Sequence, residues 1–270
     1  MFSHINVWVR GAGELGSATA HILHQSGFPT ILSDLLPPLA IRRTVTFSDA
    51  LITGAMEVED VKAVKCDPEK MARIQAEGHI PIVIDDRIVP RKVKPHVYVD
   101  ARMLKKVVAN PCDKNTFVIG LGPGFTAGEN CDVVIETHRG HDLGKIIRNG
   151  SPRENTGIPG VLGGETIRRV IYAPASGNIE WNLEIGSRIT RGDALGTIDK
   201  KTVIQAPLTG LVRGLISPLV PVRKGLKIAD IDPRGSDVDF RTISDKSRLV
   251  GRGVLEAILI HLNSKAGHNT

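Results

Sequence analysis

The sequence predicts an α/β first part, built on a doubly wound parallel sheet, followed by a small all-β second part made of two copies of one unit. Three observations carry this prediction. A strand-like run near the N-terminus ends in a glycine turn that opens a helix. Short apolar runs then alternate with polar and helical stretches as far as Thr137. Beyond that, the chain matches itself without a gap at an offset of 33 residues, from Val170 to Asp199 and again from Val203 to Asp232.

The first element is the apolar run Ile5 to Arg10, followed at once by Gly11-Ala12-Gly13-Glu14-Leu15-Gly16 and a helical pattern from Ala18 to Gln25 that Gly27 ends. Each glycine has a physical task in a Rossmann-like unit: Gly11 makes the tight turn, Gly13 lets backbone approach a pyrophosphate, and Gly16 lets helix pack on strand. The next strand, Thr30 to Ser33, leads into Asp34, 23 positions after Gly11, where a carboxylate accepts hydrogen bonds from a ribose and repels a 2′-phosphate. Residues Gly11 to Gly16 with Asp34 therefore form the expected cofactor-binding set, for an NAD-like dinucleotide rather than NADP. A glycine turn that binds nothing, or another nucleotide, is the alternative. Pro37-Pro38 then interrupts, and Arg42-Arg43 follow near the expected adenosine edge, as phosphate ligands or as surface arginines.

Further strands are predicted at 61–66, 80–85, 96–100, 116–120 and 133–137, with Asp67-Pro68 as an N-cap and first helical position. Ligands on such sheets sit beyond the carboxyl ends of strands. Arg10 lies at one such end. Gly120 to Gly128 forms a second, with Gly122 and Gly124 allowing close approach of a ligand or serving a plain connector. The third is Glu136-Thr137-His138-Arg139-Gly140-His141-Asp142, the densest cluster of chemically capable side chains. His138 and His141 could ligate a metal, hydrogen-bond an anion held by Arg139 or shape a turn; no metal is assigned. Arg148, Arg153 and Asn155 to Gly157 could line the same cleft. Cys131 is a further candidate thiol, with acidic neighbours that would raise its pKa. No catalytic residue is fixed; His138, His141 and Cys131 are the candidates.

Composition bounds the function. The chain has 41% hydrophobic and 24% charged residues, which is ordinary globular usage with room for two domains in 270 residues. Cys66, Cys112 and Cys131 are far apart, so neither a disulfide framework nor a zinc knuckle is expected, and a reducing cytoplasm is the expected compartment. No apolar run approaches the ~18 residues of a membrane span, and the start leads into a strand without a leader pattern. The net charge of +6 comes with only 4% aromatic residues and no basic stripe, so nucleic acid is not an expected partner.

In the duplicated half the offset pairs Val170-Ile171 with Val203-Ile204, Ala173-Pro174 with Ala206-Pro207, Gly177 with Gly210, and Gly192 with Gly225. Each copy reads as short strands joined by glycine turns, and the two half-sheets are expected to bury each other as a sandwich. Leu249 to Leu262 follows as an amphipathic helix, expected to pack on a domain. The resulting division is 1–165, 166–235 and 236–270.

The strings Val9 to Glu14, Ala40 to Arg43, Gly122 to Gly128 and Val134 to Gly144 together resemble the accessory family of selenium-dependent molybdenum hydroxylases, which is distantly similar to the accessory factor of xanthine dehydrogenase. The resemblance implies a maturation role, a molybdenum hydroxylase apoenzyme as partner, and a dinucleotide or molybdopterin dinucleotide as ligand; homo-oligomer formation stays open. The duplicated part resembles the barrel-sandwich hybrid of biotinyl and lipoyl carriers, with Asp199-Lys200 like the lipoyl acceptor pair, although Lys200 stands one residue nearer Ala206 than that pattern implies. An NAD-dependent oxidoreductase, using a His of the 136–142 cluster as acid or base, and a lipoyl-like carrier are the alternative functions.

Overall fold

The computed structural model describes residues 2–84, 92–106, 109, 111–158 and 160–266. The chain packs as two compact units. The first comprises Met1–Leu36, Thr46–Asn155 and Ile243–Thr270; the second comprises Pro37–Val45 and Thr156–Thr242.

In the first unit, strand β1 (Val7–Arg10) runs into helix α1 (Glu14–Gln25) and strand β2 (Thr30–Asp34). A short helix α2 (Ala50–Thr53), the hairpin β3 (Ala55–Val58) and β4 (Val61–Lys65), helix α3 (Met71–Ala76) and strand β5 (Ile80–Ile84) follow. Strands β6 (Val97–Asp100), β7 (Phe117–Leu121), β8 (Val133–Ile135) and the two-residue β9 (Ile146–Ile147) complete one nine-stranded sheet, ordered β3-β4-β5-β2-β1-β6-β7-β8-β9. Asp85, expected as the last residue of the 80–85 strand, lies outside the described residues.

This sheet corrects the expected doubly wound parallel fold. It is mixed, because β3 and β9 run antiparallel to their neighbours at the two edges. A doubly wound sheet also needs crossover helices throughout, and among the described residues none stands between β6 and β7 or between β7 and β8. The sequence misleads here because central strands buried on both faces read as unbroken apolar runs whatever the connections are. β1, β6 and β7 are such strands, buried at every position.

The cover over α1 comes instead from the chain end. Helix α4 (Asp245–Ala266) packs along α1. Close approach depends on Gly251, where a Cβ would stand 2.7 Å from Ile22 Cδ1 and 3.2 Å from the Ala18 carbonyl oxygen. On the opposite side Gly253 meets the carbonyl of Gly144, and Gly144 meets that of Leu249. Inside the sheet Trp8 is fully buried, and its indole N–H donates to Ser33 Oγ at 2.9 Å. Burying one such side chain contributes about 1.5–3 kcal/mol.

The second unit is antiparallel throughout. One sheet has the order β10 (Val170–Tyr172), β16 (Lys227–Asp232), β15 (Gly210–Leu215), β12 (Arg188–Ile189). The other has β11 (Ile179–Trp181), β13 (Ala194–Ile198), β14 (Thr202–Gln205). The two copies of the repeat exchange strands. Val170 of the first copy pairs with Asp230 of the second, and Val203 of the second pairs with Thr197 of the first. Turn hydrogen bonds recur at the same offset: Lys224 N donates to Ser176 Oγ at 3.0 Å, and Arg191 N to Thr209 Oγ1 at 3.0 Å. Leu195, Val212, Ile216, Ile228 and Ile231 fill the core between them.

These are separate four-stranded and three-stranded sheets, so the expected barrel-sandwich hybrid of the biotinyl and lipoyl kind is corrected to a pair of open antiparallel sheets. The alternating pattern of each copy predicts strands and turns but not which ladders close. A buried ionic network on β16 adds to the core. Asp230 accepts from Arg169 at 2.7 Å and from Arg213, and Asp232 accepts from Arg234 at 2.9 Å. Burial would raise the Asp232 carboxyl, yet the Arg234 hydrogen bonds and the Arg213 charge hold it below the usual carboxylate range.

Candidate functional site

The carboxyl ends of β1, β2, β6, β7 and β8 bring together most of the residues singled out in the first unit. Gly11 takes a left-handed backbone, φ 96°, and a Cβ there would stand 2.8 Å from the Arg102 amide nitrogen. At Gly16 a Cβ would fall 1.8 Å from the Gly11 carbonyl oxygen. Both glycines are therefore required by the fold. Gly13 is not: its φ is −68°, and among the described residues no atom lies within 4 Å of its Cβ position. Every other described glycine of this unit has either a left-handed backbone or a close neighbour. Gly13 is also the N-cap of α1, so its side-chain position supplies no cap to the helix.

Asp34 holds this turn. Its Oδ2 accepts from the Ala12 amide at 2.9 Å and its Oδ1 from the Leu35 amide at 2.8 Å. Leu15 lies in the first turn of α1 and is half-buried. Glu14 Oε1 accepts from Ser244 Oγ at 2.7 Å and Ser247 Oγ at 3.1 Å, which ties the start of α1 to the start of α4. Arg10 is buried, with its guanidinium 5.7 Å from the Trp8 ring centroid. Asp100 grips Arg102 Nε at 3.0 Å and accepts from Tyr98 Oη at 3.0 Å. Burial first, then Asp100, pushes the Tyr98 hydroxyl far up.

The glycine-rich turn after β7 has a packing explanation. A Cβ at Gly122 would meet Thr137 Oγ1 at 2.3 Å, and one at Gly124 would meet the Lys106 backbone at 2.8 Å. The segment after β6 thus threads between Gly11 and Gly124. Two of its residues, Met103 and Lys105, adopt φ 54° and 57°, a conformation that L side chains rarely take and that concentrates at functional sites.

Glu136 is 2% exposed, and its two oxygens accept from the amides of His138 at 2.7 Å and Arg153 at 2.8 Å. It organises the loop beyond β8 rather than facing solvent. Arg139 makes a two-pronged contact to Asp245 at 2.7 and 3.0 Å. His138 and His141 are exposed and enter no group of three metal-ligating donors among the described residues. Arg153 reaches Asp142 at 2.7 Å, and Arg148 lines an open hollow of about 320 Å³ with Lys145, Ile146 and Glu256. Burial pushes the Cys131 thiol up to about 11, a neutral group rather than a nucleophile at pH 7. Arg42 and Arg43 belong to the second unit, where Arg42 is buried at 5% exposure.

One residue at this edge carries no sequence signal. Lys246, in the first turn of α4, is half-buried between Ser244 and Ser247, and its charged neighbours are Arg139, Glu14, Lys105 and Glu136. Burial, then the Arg139 charge, lowers its pKa. Lys246 lies ahead of the helix predicted at 249–262, where a lysine reads as solvated, so only the packing of α4 reveals it.

A three-donor group does form elsewhere in this unit: His21 Nε2 lies 3.1 Å from Asp60 Oδ1 and 3.7 Å from Glu59 Oε2. A metal-bound imidazole donates its other N–H to an acceptor, and His21 Nδ1 is buried without one. Glu59 Oε1 already accepts from the Ile243 amide at 3.0 Å, and Asp60 Oδ2 from Gln25 at 2.5 Å. The group works as a hydrogen-bonded clamp between α1 and the β3–β4 turn.

No family model matches the chain. Among curated proteins it is similar to the Uncharacterized protein YqeB of Escherichia coli (strain K12), with 43% identity over 267 residues covering 97% of this chain and 49% of that protein. The chain thus spans about half the length of the curated relative it matches. Among solved structures it is similar to a succinylglutamate desuccinylase/aspartoacylase from Rhodobacter sphaeroides, at 12% identity and a TM-score of 0.28 over 85% of this chain and 86% of that one. The apo Ectoine utilization protein EutE (DoeB) from Ruegeria pomeroyi gives 9% identity and a TM-score of 0.27, again over 85% and 86%. At these scores neither the fold nor the activity of those proteins carries over to this chain.

No name among these proteins points to a molybdenum hydroxylase accessory factor, and the resemblance drawn from the sequence is corrected accordingly. With it go the maturation role and the hydroxylase apoenzyme as partner. The NAD-dependent oxidoreductase and the lipoyl-like carrier are likewise withdrawn. The strings that carried the resemblance have local packing reasons here. The Glu136 to Gly144 stretch, for instance, is built around a buried carboxylate that takes two backbone amides and a Gly144 pressed on α4. Among the described residues no helix is long and apolar enough to cross a membrane.

Proposed function

We propose that the first unit binds a diphosphate-bearing ligand, a nucleotide or dinucleotide, with its phosphate on the amides that open α1. Gly13 carries this reading. It stands at an uncapped helix start, needs no glycine for its own backbone, and has open space where a side chain would project. An anion is favoured at such a position by the backbone amides and the helix dipole together. Asp34 supports the site by fixing the turn through Ala12. The ligand part assigned is the diphosphate, which nicotinamide and molybdopterin dinucleotides share. We place this binding in the cytoplasm, on three cysteines that form no disulfide. Calorimetric titration of the full chain with ADP and with adenosine tests it. ADP is expected to bind at least tenfold more tightly; equal affinities, or heat from neither, would overturn the proposal.

A further inference from the structure

Lys246 is a half-buried lysine at this edge that makes no hydrogen bond or ion pair among the described residues. Its neighbours are already engaged. Glu14 accepts from Ser244 and Ser247 at 2.7 and 3.1 Å, and Glu136 takes the His138 and Arg153 amides at 2.7 and 2.8 Å. Arg139 is held by Asp245 at 2.7 and 3.0 Å. Among the described residues the Lys246 ammonium has neither a hydrogen bond nor an ion pair. Taking an ammonium out of water without a counter-ion is costly. The fold nevertheless keeps this one half-buried, with the cations Arg139 and Lys105 nearby.

We propose that Lys246, with Arg139 and Lys105 around it, is the cationic half of an anion-binding site whose natural occupant is the phosphate of the ligand assigned above. The turn that carries Lys246 touches Glu14, the residue next to Gly13, which sets that turn beside the start of α1. This inference rests on the diphosphate reading. It adds a specific point charge from α4 to the backbone amides of α1, and it explains why α4 is locked to α1 at its first turn.

The test is titration of ADP and of inorganic diphosphate into the full-length wild type, Lys246→Met, Lys246→Gln and Lys246→Arg, with urea unfolding of each variant alongside. Lys246→Met and Lys246→Gln should weaken both probes tenfold or more, and Lys246→Arg should stay within about threefold of wild type near pH 7.5. ADP is fully ionised above about pH 8, since its second phosphate ionisation lies near 6. The facing charges are Glu14, Glu136, Arg139 and Lys105 from the neighbouring elements and Asp245 on α4 itself. Raising the pH from 8 to 10 deprotonates Lys246 at a lower pH than an ordinary lysine. Wild-type affinity should therefore fall over that range while that of Lys246→Arg, always charged, falls less. If ADP binds wild type and the Met and Gln variants alike, the role of Lys246 is refuted while the diphosphate reading stands. If neither probe binds wild type, both fail together.

Discussion

Replacing Gly13 by Ala separates ligand binding from folding. A methyl group at this position meets no atom of the described residues within 4 Å. Its cost to stability is limited to exchanging a tolerated N-cap residue for a poor one, about 0.5–1 kcal/mol. For a bound phosphate the same methyl occupies the approach to the helix amides. Losing one or two hydrogen bonds to a charged group costs about 1.5–3 kcal/mol each, and with 1.4 kcal/mol per tenfold that is a 10- to 150-fold loss for the first bond alone. Gly16→Ala provides the contrast, because its Cβ would fall 1.8 Å from the Gly11 carbonyl oxygen. It should destabilise by about 1–3 kcal/mol through overpacking. Calorimetry with ADP alongside urea unfolding reads both quantities. A Gly13→Ala protein that binds ADP as wild type does would refute the assignment of open space to a ligand.

Other consequences follow from the same geometry. Asp34→Ala removes the acceptor of the Ala12 and Leu35 amides and should lower the stability of the first unit by about 1.5–3 kcal/mol, seen as an earlier urea midpoint; an unchanged midpoint would show that the turn holds itself. Gly251→Ala forces a methyl to 2.7 Å from Ile22 Cδ1 and should cost about 1–3 kcal/mol, with amide exchange along α4 accelerating first. Burial raises the Cys66 and Cys131 thiols to about 11 and Cys112 to about 12, so all three stay neutral at pH 8. The native protein should react with an aromatic disulfide roughly a hundredfold more slowly than free cysteine does at pH 8, and faster as the pH rises toward 10. Rapid labelling at pH 7.5 would contradict the buried setting.

The legible part of the sequence is local. The strand, glycine turn, helix and following strand stand at Val7–Arg10, Glu14–Gln25 and Thr30–Asp34, because period-2 and period-3.6 patterns with glycine punctuation act within a few residues. The repeat is legible too, since its offset returns in the paired hydrogen bonds of Ser176 and Thr209. What the sequence hides is the pairing between distant segments. Nothing in Pro37–Val45 says that it leaves the first unit, taking Arg42 and Arg43 with it. Nothing around Gly124 says that the Lys106 backbone packs against it. Lys246 is hidden for the same reason: its burial comes from α4 lying on α1, a contact between residues more than 200 positions apart.

The most direct test of the central claim is an amide NMR titration of the isotopically labelled full chain with ADP. The largest shift changes are predicted at Gly13, Glu14, Leu15 and Gly16, with adenosine leaving those four amides in place. Shift changes confined to other segments, or none at millimolar ADP, would contradict a phosphate seat at the start of α1.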